Sequence, residues 1–245
     1  MPRGSAQLLP PPPFCDRPAR PHSTQLGGEP GTPLQPPGPG EHPRSGRSSR
    51  DTLPSEMERD CWKRLLSYTK ASVTLDPDTA HPILVVSEDG KSVRRAEALL
   101  DLPDMPERFD TCHCVLGSEG FTSGRRYWEV EVGNGQYWAV GVARDSVRRK
   151  GRISPSPEEG IWAMGMHGVK GHCKIYHFFS SPGTQLISWD TIKRIGVSLD
   201  YEAGQVAFLD ADWKSLLFSF PPASYNGERI HPFFWVRGSQ LRLCS

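Results

Sequence analysis

From position 73 onward, apolar side chains recur at every second residue in short runs, and that period sets what the chain can fold into. The clearest runs are Tyr127-Trp128-Glu129-Val130-Glu131-Val132 and Tyr137-Trp138-Ala139-Val140-Gly141-Val142. Successive side chains of a strand point to opposite faces, so such a run buries one face and exposes the other. Trp128, Val130 and Val132 alternate to one side, with Glu129 and Glu131 on the other. Further strand-like runs lie at 73–75, 83–86, 161–164, 173–178, 195–199, 205–209, 215–220, 232–236 and 241–243. Turn residues separate them: Asp89-Gly90, Asn134-Gly135, Ala203-Gly204 and Asn226-Gly227. Asn-Gly between two alternating runs predicts a hairpin joining 127–132 to 137–142. Residues 200–204 predict a second tight loop, between 197–199 and 206–208. No helical pattern alternates with the strands, so the expected class is all-β, an antiparallel β-sandwich.

The first quarter of the chain has another character. Of 24 prolines in 245 residues, 14 fall within residues 1–54, with Phe14 as the one aromatic there, while all seven tryptophans come later. A segment so poor in large apolar groups cannot offset an ordering entropy of ~1–2 kcal/mol per residue. Residues 1–54 are therefore expected to form a disordered Pro/Gly-rich tail. Within it, Leu9-Pro10-Pro11-Pro12-Pro13-Phe14 is a polyproline II candidate, able to dock in an aromatic groove or to serve as a solvated linker. The arginines and serines of residues 44–50 form either a phosphorylation site or plain polar sequence. Ser55 and Glu58 have capping-box spacing, and Met57, Cys61, Leu65 and Tyr68 follow at helical intervals. A short helix over 55–69 is expected, and the sandwich over 70–245.

Composition and motifs exclude several functions. A net charge of +1 does not fit a dedicated nucleic-acid binder. No apolar run reaches the ~18 residues of a membrane span, and the start lacks the apolar core of a secretory signal. Gly117-Ser118-Glu119-Gly120 has the wrong spacing for a nucleophile elbow. Gly133-Asn134-Gly135 opens like a dinucleotide loop, but Trp138 stands where the third glycine belongs. Cys112-His113-Cys114 lacks the second ligand pair a structural zinc site needs. The histidines, including His167, His172 and His177, have no nucleophile or orienting carboxylate in view. No catalytic residue, metal or cofactor is expected. Scattered cysteines without a secretory signal point to reduced thiols in the cytoplasm.

At this point the residues resemble the PRY-SPRY domain found in butyrophilins and tripartite-motif proteins. The resemblance rests on Leu75-Asp76-Pro77, Trp128-Glu129-Val130-Glu131 and Leu199-Asp200-Tyr201-Glu202, in that order. Val86-Ser87-Glu88-Asp89, Pro106-Glu107-Arg108-Phe109, Val115-Leu116-Gly117, residues 145–151 and the ending around Pro232-Phe233-Phe234 and Leu241-Arg242-Leu243-Cys244 extend it over roughly 70–245. These blocks read mostly as packing and turn residues. The RING, B-box and coiled coil of tripartite-motif proteins are not recognisable here, nor are the immunoglobulin domains and membrane span of butyrophilins, so ligase activity is not expected.

The resemblance implies a non-catalytic protein-interaction module, an intracellular adaptor or immune-type recognition protein whose groove is built by loops around one sheet. Candidate partner-binding residues are the basic run Arg148, Arg149, Lys150 and Arg152, then His167, Ala139, Trp235 and Arg237. Tryptophan and arginine dominate desolvated interface anchors. The plain alternative makes the basic run a solvated turn and Trp235 a core residue. Some butyrophilins bind small phosphorylated metabolites in a basic pocket that includes a histidine. Ala139 stands at that position here, which leaves a phosphorylated-ligand sensor working through residues 148–152 as the alternative function. The expected partner is another protein, with no nucleic acid and no membrane, and the chain is expected to be a monomer.

Overall fold

A computed structural model describes residues 63, 65–170, 173–180, 183–188 and 191–244. The tail and most of the expected helix lie outside the described residues. Lys63 and Leu65 are helical, and Thr69, expected at the helix end, already begins a strand.

The strands are β1 (Thr69–Lys70), β2 (Leu84–Val86), β3 (Ser92–Arg95), β4 (Cys114–Leu116), β5 (Arg125–Glu131), β6 (Gln136–Arg144) and β7 (Ile161–Lys170), followed by β8 (Cys173–Phe178), β9 (Thr184–Ser188), β10 (Arg194–Asp200), β11 (Gln205–Asp210), β12 (Ser215–Ser219), β13 (Ile230–Gly238) and β14 (Gln240–Leu243). Among the described residues they build two sheets. One has the order β12-β11-β10-β5-β14-β3-β2, with β1 added beside β5, and the other the order β4-β13-β6-β7-β8-β9. The pairings are antiparallel except for the short β1–β5 contact. The expected antiparallel sandwich is present.

Its core forms where the inner faces meet. Trp128, Val130, Val197, Leu199 and Phe208 from one sheet pack with Trp138, Val140, Val142, Trp162, Met164 and Phe234 from the other. Burying each such side chain contributes ~1.5–3 kcal/mol. Arg108 ties the segment before β4 to this body, with Nη1 donating to the carbonyls of Pro77 and Ala80 at 2.8 Å each.

The hairpin expected at Asn134-Gly135 does not form. β5 pairs with β10 and β14, whereas β6 pairs with β13 and β7 in the opposite sheet. The turn is an arch between sheets. A tight hairpin turn of this composition needs positive φ at both central residues, but here the positive values fall on Gly133 (57°) and Tyr137 (62°). Asn-Gly marked a reversal without deciding which sheet receives the next strand. The loop at residues 200–204 does join paired neighbours, with Asp200 opposite Gln205 and Gly204 at φ 64°.

Four strands were not expected. β1 spans only two residues, β3 and β9 are short and largely polar, and β4 is only three residues long. The run at 73–75 contributes a single bridge, Leu75 to Gly117, because Pro77 halts ladder pairing just beyond it.

Candidate binding surface

The second sheet buries both of its faces. Its inner side chains enter the sandwich core, and its outer ones form a separate cluster that includes Cys114, Leu116, Ala139, Ala143, Ala163, Phe233 and Trp235. Strand alternation produces this division. Along β13, Phe234 and Val236 point inward and Phe233 and Trp235 outward. Along β6, Trp138 and Val140 point inward while Ala139 points outward.

Register then gathers the outer residues into a row. Trp235 stands opposite Cys114 on one side and Ala139 on the other. Ala139 pairs with Gly165, and Gly165 with His177. The floor beside Trp235 is thus built of small residues. Gly165 is small of necessity: a Cβ there would meet the Trp138 carbonyl oxygen at 2.3 Å. Burial lowers the pKa of His177 below the usual histidine value, which favours its neutral form. One row away, the Arg237 guanidinium lies 5.9 Å from the Tyr137 ring centroid, within cation–π range. His167 follows Met166, the residue of β7 that pairs with Trp138.

Two loops border the cluster, contributing Phe109, Cys112, Val147 and Ile153 to it. The basic run belongs to the second of these loops, and Arg148, Arg149 and Lys150 are engaged within the domain. Arg149 packs over Phe109 at 5.2 Å. Its guanidinium donates to the carbonyls of Asp145 at 2.9 Å, Val147 at 3.1 Å and Glu107 at 3.3 Å. Burial lowers the pKa of Arg149, against the opposing charge of Asp145. Arg148 pairs with Glu159 at 2.9 Å, Lys150 pairs with Asp104 and donates to the Met105 carbonyl at 2.7 Å, and Arg152 is exposed. Asp110 accepts from Gly151 N–H at 2.8 Å and Thr111 Oγ1 at 2.8 Å. Burial works to raise the Asp110 pKa, but these bonds and the charge of Lys150 outweigh it, so it falls below the usual carboxylate value.

Ala139, Trp235 and Arg237 are therefore placed on one strand face, with His167 next along the adjoining strand. Arg148, Arg149, Lys150 and Arg152 line the border loop. Sequence reasoning missed Tyr137, Phe109, Phe233 and His177. Tyr137 and Phe233 were visible as alternates of Trp138 and Phe234, but both faces of their strands are apolar, so the pattern alone did not say which side is which. Trp235 is only 2% exposed, although it lies outside the sandwich core.

The chemistry present is that of packing and recognition. Burial pushes the Cys114 thiol well above its ordinary pKa, which suppresses the nucleophilic thiolate. Among the described residues Cys114, Cys173 and Cys244 are free thiols. Among the described residues no group of three or more metal-ligating side chains comes together, and no helix is long and apolar enough to cross a membrane.

Comparison with known proteins follows the same lines. The chain matches the PRY (SPRY-associated) domain over residues 73–121 and the SPRY domain over residues 125–244. It is 44% identical over 200 residues to butyrophilin subfamily 1 member A1 of Mus musculus, a match covering 80% of this chain and 36% of that protein. It is 41% identical over 194 residues to the E3 ubiquitin-protein ligase TRIM58 of Mus musculus, covering 78% of this chain and 39% of that protein. The chain thus spans well under half the length of these curated relatives. Among solved structures, the TRIM65 PSpry domain superposes with a TM-score of 0.60 at 20% identity, covering 81% of this chain and all of that one, and so speaks for the fold. Stonustoxin superposes with a TM-score of 0.57 at 26% identity, covering 72% of this chain and 27% of that one. Neither matched domain is a catalytic family. With two interleaved sheets, an outer cluster ringed by loops and these matches, the chain belongs to the PRY-SPRY family of protein-interaction modules.

Proposed function

We propose that this chain recognises a protein partner through the outer face of the six-stranded sheet, around Tyr137, Ala139, Trp235 and Arg237. The observation that carries the reading is the register row through Cys114, Trp235, Ala139 and Gly165. It sets a large aromatic beside a floor of small residues, with Arg237 at the margin. Desolvated aromatic and arginine groups in a ring of loops are the usual form of an interface hot spot. The module would act as a monomeric adaptor or immune-type recognition protein in the cytoplasm. That butyrophilin and ligase relatives carry matching sequence within longer chains supports a shared recognition role for this module.

The phosphorylated-ligand alternative receives less support. Arg148, Arg149 and Lys150 already hold Glu159, main-chain carbonyls and Asp104. A phosphate would have to displace these partners.

The test compares partner capture by the full chain with that by Arg237→Ala, Arg237→Glu and, as a distant control, Trp213→Ser. Trp213 is 77% exposed at the turn between β11 and β12. Partners kept by the control and lost by the two face variants support the reading. Loss with Trp213→Ser and retention by both face variants overturns it. Calorimetry with inorganic pyrophosphate in physiological salt decides the alternative, because nonspecific attraction is screened there.

A further inference from the structure

We propose that the cleft beside the turn between β11 and β12 binds an arginine side chain of a protein partner, held by the Trp213 ring and the carboxylates of Asp210 and Asp212. The cleft has a volume of about 570 Å³ and is lined by Thr191, Lys193, Asp210, Asp212 and Trp213. Trp213 stands 77% exposed at its rim. A lone exposed apolar residue needs no explanation, but this one is set in a built turn. Asp210 Oδ1 accepts from the Asp212 N–H at 3.0 Å and the Trp213 N–H at 3.1 Å. The turn thereby fixes the backbone of Trp213 beside a carboxylate.

That carboxylate is the observation that points to a ligand. Asp210 is only 7% exposed, yet it lines the open cleft. Both backbone bonds fall on Oδ1, so among the described residues Oδ2 has no hydrogen-bond partner. Asp212 repeats the arrangement: its Oδ1 accepts from Arg194 Nη2 at 2.8 Å and Nε at 3.1 Å, and its Oδ2 is left over. Arg194 does not serve Asp210 as well, because it is shared between Asp212 and Glu129, whose Oε2 lies 3.5 Å away. Burial raises the Asp210 pKa above the ordinary carboxylate value, against the pull of the two backbone bonds. An incoming cation would favour the ionised form.

The pairing of an indole with two spare carboxylate oxygens selects a guanidinium among cations. A guanidinium carries its N–H donors in one plane, stacks on aromatic faces and forks across carboxylate oxygens, whereas an ammonium is a compact, strongly hydrated point charge. Tryptophan is also the best ring for cation–π attraction. Lys193 is the opposing charge in the lining, and it is exposed. It lowers the affinity for a cation without occupying the site. The turn belongs to the sheet opposite the Trp235 face, so the inference does not rest on the partner-binding reading above.

The test titrates the isotope-labelled full chain with an acetylated, amidated glycine-arginine-glycine peptide. Nuclear magnetic resonance follows the Trp213 indole N–H, assigned by its loss in Trp213→Ser. A saturable shift is expected. The same peptide with citrulline, which keeps the shape and drops the charge, should not bind, and the lysine peptide should bind several-fold more weakly. Asp210→Asn keeps a side-chain oxygen for the two backbone N–H groups and removes the charge, so affinity should fall about tenfold with the rest of the spectrum unchanged. Lys193→Gln should tighten binding. Equal binding of the citrulline or lysine peptide, weaker binding by Lys193→Gln, or no saturable shift in the full chain overturns the proposal. So does unchanged affinity in Asp210→Asn. Should that variant fail to fold, Asp212→Asn on the exposed side of the turn gives the same reading, with lost affinity supporting the site and unchanged affinity overturning it.

Discussion

Trp128 and Trp235 are both buried, yet they do different work because they face opposite ways. Trp128 sits between the sheets, 6.0 Å from the Phe121 ring, and belongs to the main core. Trp128→Ala should cost ~3–5 kcal/mol in urea denaturation, since the rigid surroundings cannot close the cavity. Trp235→Ala should cost less in the same measurement, because its cluster is bordered by loops that can relax. Equal losses would place Trp235 in the global core and remove it from the binding face. Gly141 is a third sensitive position. A Cβ there would meet the Trp162 carbonyl oxygen at 2.1 Å. Gly141→Ala must therefore force β6 and β7 apart, and should destabilise by about 3 kcal/mol in the same assay.

At the scale of elements, the loop carrying residues 148–152 is held by its own basic side chains. Arg149 donates to three carbonyls and covers Phe109. Removing the guanidinium leaves those acceptors short of a donor, so Arg149→Ala should lose ~1–2 kcal/mol and loosen the loop. Hydrogen exchange at the Gly151 amide would report it. Asp110 gives the same loop a pH dependence. Its folded-state pKa is depressed, so the unfolded state binds the proton more readily. Its contribution is complete above the unfolded carboxylate value of ~3.9 and is lost as pH falls through the lower folded value. Gly151 amide protection should accordingly fall in that acid window, and Asp110→Asn should flatten the dependence. Protection that persists unchanged through the window would show that the loop does not depend on this carboxylate.

Across the whole molecule the two matched domains are not separate folding units. The PRY segment, residues 73–121, supplies β2 and β3 to one sheet beside β14, and β4 to the other beside β13. The SPRY segment, residues 125–244, supplies the strands they lean on. A core shared across both sheets should unfold in one step. Calorimetry of the full chain should give one transition for this body. A chain beginning at residue 125 should lack a cooperative transition, since Leu116, Val115 and Leu84 leave the core with the excised segment. Two resolved transitions in the full chain would contradict the shared core.

How much of this was legible beforehand can be read from individual residues. Alternation at Trp128, Val130 and Val132 announced a half-buried strand, because period two is a local property of extended backbone. The proline and tryptophan distributions likewise gave an expected start for the folded body, near residue 55, which lies outside the described residues. Ala139, Trp235 and Arg237 could be named from sequence as candidates. Their convergence depends on the register of β13 against β6, which is a long-range pairing. Strand partners were the hardest to foresee. Asn134-Gly135 specified a reversal, yet the next strand crossed to the other sheet, because hydrophobic burial on both faces of β6 required a central position there. The basic run looked like a free surface until Glu107, Asp104 and Glu159 came from distant segments to meet it. Local chemistry in the sequence determined which residues form strands and turns. The tertiary structure alone decided which sheet each strand joined, and so which side chains share a face, because those choices rest on contacts between residues far apart in the chain.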